Sequence, residues 1–89
     1  MANRHVHIQN KLGLHARASA RLVSTASHYS SEIMLTKDDI EVNAKSIMGI
    51  MMLAAGKGSE LILSADGSDE DEALDAIEQL INDHFGEEE

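Results

Sequence analysis

The chain contains no cysteine, no proline and no tryptophan, and Tyr29 and Phe85 are its only aromatic residues. Without thiols it can build neither a disulfide nor a thiolate metal site, which suits a reducing cytoplasm. The scarcity of aromatics leaves packing to Leu, Ile, Val, Met and Ala. No apolar run approaches the ~20 residues of a membrane span. The opening MANRHVHIQN lacks the apolar core of a signal peptide. With no Pro-rich or low-complexity linker, the 89 residues are read as one domain, 1–89, with residues 87–89 as a frayed acidic tail. A domain of this size buries only roughly 60–65 % of its unfolded surface, so its core is limited.

Positive charge is also scarce. The net charge is −9, and all 7 Lys and Arg lie at or before Lys57. The first 59 residues carry about +3 and the rest about −12. An acidic chain with two aromatics lacks the basic surface and the stacking platforms that nucleic-acid binding needs. Its mildly basic first part can still attract an acidic protein surface or a phosphate.

Periodicity supplies the elements. RHVHIQN alternates, with Val6 and Ile8 on one face, and predicts a half-buried strand. From Ala16 to about His28 the spacing turns helical, with Ala18, Leu22 and Ala26 on one stripe and Val23 extending it. EIMLT and IEVN alternate around Lys37-Asp38-Asp39 and predict a hairpin, with Ile33, Leu35, Ile40 and Val42 inward. A short helix follows from Ser46 to about Leu53, ended by Gly56 and Gly58. ELILSA predicts a fourth strand. A final helix carries Ala73, Leu74, Ile77, Leu80 and Ile81, with Ser68 or Asp69 as cap and Gly86 after its end. The order βαββαβα predicts a two-layer α+β domain with an antiparallel sheet.

Five histidines compete for a chemical role. His5 and His7 point the same way from a strand, but no third ligand is evident, so they read as solvated residues rather than a metal pair. His28 and His84 fall near helix C-termini, where partial positive charge is favoured. His15 is different, because a helix N-terminus disfavours imidazolium and keeps the ring neutral. A neutral imidazole has a lone pair and is a nucleophile. The first-turn N–H groups of Ala16 and Arg17 can receive an anion, and the Arg17 guanidinium suits phosphate oxygens. Gly13 permits a tight approach. The residues alone leave two readings, a pocket for a phosphoryl group carried on imidazole nitrogen and an ordinary histidine at a helix start.

No second half of an active site is present. There is no carboxylate cluster for magnesium and no Ser/His/Asp order. AAGKGS departs from a P-loop, since Met51 stands where the first glycine belongs and Gly58 separates Lys57 from Ser59. A nucleophile without a nucleotide site implies a carrier between other proteins, with no cofactor and no metal.

KSIMGIMMLAAG places Ile47, Met48, Ile50, Met51, Met52 and Leu53 around nearly the whole circumference of a two-turn helix. One sheet can bury only part of that circumference, so the remainder forms a partner surface unless all of it packs into an aromatic-poor core. Methionine adapts to partners of different shape. Ser46 reads as the N-cap, or as a phosphorylation site where about −2 of charge would repel an acidic partner.

GLHARAS with KSIMGIMML, in a βαββαβα order, resembles HPr, the histidine-containing phosphocarrier family of the bacterial phosphoenolpyruvate:sugar phosphotransferase system. The resemblance covers essentially the whole chain. It implies an open-faced β-sandwich, a four-stranded antiparallel sheet covered on one side by three helices. It implies that His15 is phosphorylated on Nδ1, that Arg17 stabilises the phosphate, and that Ser46 is the regulatory serine of an ATP-dependent HPr kinase/phosphorylase. Ile47, Met48 and Met51 match the family's docking surface. The implied partners are enzyme I as donor and enzyme IIA proteins as acceptors, for a monomeric cytoplasmic carrier that is not itself an enzyme. One departure stands out, because the family commonly has Pro where this chain has Ala18. NKLGLHARAS suits the nitrogen-branch paralogue NPr equally well, whereas KSIMGIM favours HPr. An acyl carrier protein, also small and acidic, requires a helical bundle and Ser within DSL, and here Lys45 precedes Ser46. A plain interaction module with an incidental His15 is the remaining alternative.

Overall fold

The computed structural model describes residues 1–86, so the expected acidic tail lies outside the described residues. The elements run β1 (Ala2–His7), α1 (Ala16–Ala26), β2 (Glu32–Lys37), β3 (Ile40–Asn43), α2 (Ile47–Met52), β4 (Glu60–Asp66) and α3 (Glu70–Asn82), closed by a single 3₁₀ turn over His84–Gly86. The strands form one antiparallel sheet in the order β1-β4-β2-β3. Three helices lie against one of its faces, giving the open-faced sandwich of the expected α+β class.

The alternation seen in the sequence decides which face is covered. Val6 of β1, Ile33 and Leu35 of β2, Val42 of β3 and Leu61, Leu63 and Ala65 of β4 all point inward. Ala18, Leu22 and Ala26 of α1 meet them, together with Ile50 of α2 and Ala73, Leu74, Ile77 and Ile81 of α3. Each fully buried Leu or Ile contributes roughly 1.5–3 kcal/mol. Ile40 departs from its expected place. It shares the inward parity of Val42, but at the end of the hairpin it remains 47 % exposed, beyond the reach of the helices. The turn itself is the two residues Asp38 and Asp39, with Asp38 at φ 54.

Three local features differ from the pattern-based expectation. First, α2 ends not on a glycine but on Ala54, whose φ of 51 reverses the chain directly after the Leu53 cap. Gly56 and Gly58 lie further along, where the chain turns back into β4. Second, Asp69 is the N-cap residue of α3 but makes no side-chain cap bond. Its carboxylate instead accepts hydrogen bonds from the backbone N–H and hydroxyl groups of both Ser30 and Ser31. Those donors, the Ser31 hydroxyl foremost, hold the Asp69 carboxyl down at about 2. Third, the chain's one Phe is fully buried. His84 and Phe85, both at φ 55, curl the segment after α3 so that the Phe85 ring enters the core. Arg21 of α1 donates to the Phe85 carbonyl and fixes the curl. Non-glycine residues in this region cost of order 1–3 kcal/mol each, and burial of the ring offsets part of that.

Candidate functional site

The site is built where the loop after β1 enters α1. Ile8 brackets the loop's start, its N–H donating to the Ser59 carbonyl at 2.9 Å and its own carbonyl accepting from the Gly58 N–H at 2.7 Å. At the other end Leu14 N–H donates to the Ala55 carbonyl at 2.9 Å. The two loops lie so close that a Cβ on Gly13 would stand 2.7 Å from Gly56 Cα, and Gly13 itself has φ 67. Only glycine fits that position. The AAGKGS segment therefore serves as a wall for the loop and runs into a strand, not a helix, which excludes a P-loop.

His15 follows as the N-cap of α1, with φ −76 and ψ −179. Its Nδ1 accepts a hydrogen bond from the Arg17 backbone N–H at 3.3 Å. As the acceptor of this bond, Nδ1 presents its lone pair to the amides of the first turn. His15 is half-buried, and Ala16 and Arg17 are exposed beside it. No acidic residue occupies the first turn of α1. The first-turn N–H groups therefore lie beside one ring nitrogen, and Arg17 adds positive charge to the same exposed turn.

The second part of the surface is α2. Ile50 and Leu53 are buried, whereas Met48 is 77 % and Met52 70 % exposed, with Ile47 and Met51 at a little over two-fifths. The helix therefore splits between core and solvent. Leu12, 67 % exposed in the loop before His15, is an apolar side chain that the sequence pattern did not single out, because a lone Leu in a turn has no periodicity. Ser46 is the N-cap of α2, its Oγ accepting the Gly49 N–H at 3.0 Å. Lys37 donates to the Leu53 carbonyl at 3.4 Å, at the opposite end of this helix, where positive charge is favoured.

His7 and His28 have local partners. His7 Nε2 is 2.9 Å from Glu60 across the β1–β4 pair, and His28 Nδ1 is 2.8 Å from the Ser24 carbonyl one turn earlier. Among the described residues no group of three His, Asp or Glu side chains is placed to hold a metal ion. Nor, among those residues, is any helix long and apolar enough to cross a membrane.

Comparison with known proteins bears on this arrangement. The family model described as "PTS HPr component phosphorylation site" matches residues 2–83. The curated phosphocarrier protein HPr of Neisseria meningitidis is 55 % identical over 87 residues, covering 98 % of both chains. Among solved structures, HPr-C-His from Thermoanaerobacter tengcongensis superposes with a TM-score of 0.96 at 52 % identity, each chain covered completely. A second structure from that organism, described as an HPr dimer, superposes with a TM-score of 0.79 at the same identity, covering 98 % of this chain and all of that one. A carrier of this kind is not an enzyme. Fold, loop geometry and these likenesses agree, and the chain belongs to the HPr family of phosphocarrier proteins of the phosphotransferase system.

Proposed function

We propose that His15 is the residue that carries the phosphoryl group, accepting it from phosphorylated enzyme I and passing it to an enzyme IIA protein. The observation that carries this reading is the Nδ1 lone pair aimed at the Arg17 N–H over 3.3 Å. Nδ1 attacks phosphorus while the bond from phosphorus to the donor atom breaks, its electron pair leaving with the donor. No base is required, because the attacking nitrogen is already unprotonated. Once phosphorus occupies the lone pair, the Arg17 N–H can no longer bond to nitrogen. It is then available, with the Ala16 N–H, to a phosphate oxygen that arrives at the same place. Arg17 supplies a charge-assisted fork. Transfer to the acceptor runs the same steps in reverse, and the phosphoramidate bond keeps its transfer potential between the two.

Ile47, Met48 and Met51 form the apolar docking surface, and their exposure beside a mildly basic region supports contact with acidic partner surfaces. Ser46 is the regulatory site for an HPr kinase/phosphorylase. A phosphate there stays at a helix N-terminus that welcomes it, yet places negative charge next to the docking methionines. The protein acts as a monomeric single domain in the cytoplasm. The sequence KSIMGIM supports the sugar branch over NPr, and the four-stranded sheet differs from the helical bundle that an acyl carrier needs.

The decisive assay mixes the protein with labelled phosphoenolpyruvate and enzyme I. An acid-labile, alkali-stable adduct is expected, absent from His15→Ala. Uptake of label by His15→Ala would overturn the assignment. Incubation with ATP and the kinase should yield an acid-stable adduct lost in Ser46→Ala, and light scattering should report the monomer mass.

A further inference from the structure

Among the described residues three polar side chains are almost completely removed from solvent: Asn10, Ser19 and Ser31. Burying a polar group costs free energy unless its hydrogen bonds are remade, so each needs a structural reason. Ser31 binds Asp69. The other two converge from opposite sides on the same short stretch of backbone, the peptide units immediately before His15.

Asn10 Nδ2 donates to the Gly13 carbonyl at 2.9 Å, while the N–H of that same peptide unit, on Leu14, donates to Ala55. The unit is thus held at both of its polar ends and cannot rotate without losing two buried bonds. Asn10 also accepts the Gly13 N–H on its own carbonyl, at 3.2 Å. In the next unit, the Leu14 carbonyl accepts the Ser19 hydroxyl at 3.1 Å. Ser19 N–H then donates to the His15 carbonyl at 2.9 Å, so one residue grips the chain on both sides of the histidine. Neither side chain contacts the imidazole in these bonds. What they fix is the pair of planes from which His15 hangs, and with them the backbone angles that aim Nδ1 at the Arg17 N–H.

We propose that Asn10 and Ser19 are positioning residues for phosphoryl uptake at His15. The proposal rests on the reading of His15 as the acceptor. Propensity alone does not favour Ser19, since alanine forms a better helix at a buried position. Its hydroxyl is kept for the Leu14 carbonyl. A misplacement of about 1 Å at a reacting atom can cost on the order of 100-fold in rate, and loss of one buried strut is expected to move the ring by a fraction of that.

The test compares Ser19→Ala, Ser19→Thr and Asn10→Ala in the intact protein, with two readouts. Steady-state uptake from phosphorylated enzyme I should show kcat lowered about 5- to 20-fold in Ser19→Ala, with KM for the donor within about twofold, because the docking surface is untouched. Ser19→Thr, which keeps the hydroxyl, should recover to within about threefold of the parent. Independently, ¹H–¹⁵N correlations of the His15 ring should move or broaden in Ser19→Ala without any phosphoryl donor present. A folded Ser19→Ala with parental kcat, or with unmoved ring resonances, overturns the proposal. So does a rise in KM at constant kcat, which would assign Ser19 to docking. If Asn10→Ala does not fold, the two Ser19 variants decide alone. Failure of the parent protein to take up label strikes the reading of His15 instead, and the ring resonances separate the two failures.

Discussion

The starts of α1 and α3 are built in opposite ways. The first turn of α3 is filled with Glu70, Asp71 and Glu72, which answer the positive end of the helix with the chain's own carboxylates. The first turn of α1 contains no acid, places Arg17 where charge logic would discourage it, and caps itself with an imidazole nitrogen at the long distance of 3.3 Å. One helix is finished and the other is left wanting an anion. A small domain can tolerate one such unfinished terminus because the rest of the fold is well satisfied, and the unfinished one is where a transient negative group is best received.

Converting α1 into a copy of α3 should have the largest effect. His15→Asp supplies a strong N-cap and a permanent negative charge, so phosphoryl uptake should vanish. Stability should hold or rise by about 0.5–1 kcal/mol, roughly 2–8 °C in melting midpoint. Labelling and thermal unfolding on one sample check both halves, and a fall in midpoint would show that α1 is not under-capped. Arg17→Ala removes the guanidinium but leaves the backbone donors. It should slow transfer about 10- to 100-fold, the worth of one charge-assisted hydrogen bond, with little change in melting because the side chain is exposed.

At the α3 end the contrast is tested with acid. The Asp69 carboxyl lies at about 2 in the folded chain, below its usual 3.8. Its contribution to stability is therefore complete above about pH 4 and lost as pH falls toward 2, as the unfolded chain takes up the proton first. Asp69→Asn should be less stable at neutral pH and show a flatter acid limb between those values, read by denaturant titration at several pH values. An unchanged limb would place the acid sensitivity elsewhere. The smallest effect is expected from Ala18→Pro. Ala18 lies in the first turn of α1, where an absent N–H matters least, and Ala16 and Arg17 carry the nearest donors. Transfer should stay within a few-fold, and a collapse would show that the turn depends on the Ala18 amide.

What the sequence discloses and what it conceals follow a physical division. The four strands, α1 and α3 are visible because burial of one face imprints a period of two or of 3.6 on the apolar residues, whereas α2 shows as an apolar run between Ser46 and the glycines. His15 is visible because a titratable ring at a helix start is chemically odd. The hidden features are those made by single residues at long separation. Asp69 looks like a cap for its own helix, but its oxygens reach Ser30 and Ser31, nearly forty positions earlier. Ala54 takes a backbone angle that glycine usually takes, so the helix ends near Leu53 as expected but without the help of either nearby glycine. Phe85 carries no period, and its burial depends on a contact with Arg21 in another helix. Asn10 and Ser19 resemble ordinary loop and helix residues until the backbone they brace is seen.

The strand order carries one more consequence, for how the molecule comes into being. Among the described residues β1 pairs with β4 alone, with His7 opposite Glu60 across 53 positions. During synthesis β1 must wait until β4 has been made before it finds a place in the sheet. Pairings so far apart in sequence are slow to close, and the unpaired segment meanwhile offers an open edge to other nascent chains. The speed of maturation of this carrier is therefore governed less by its helices than by how soon the fourth strand arrives to receive the first.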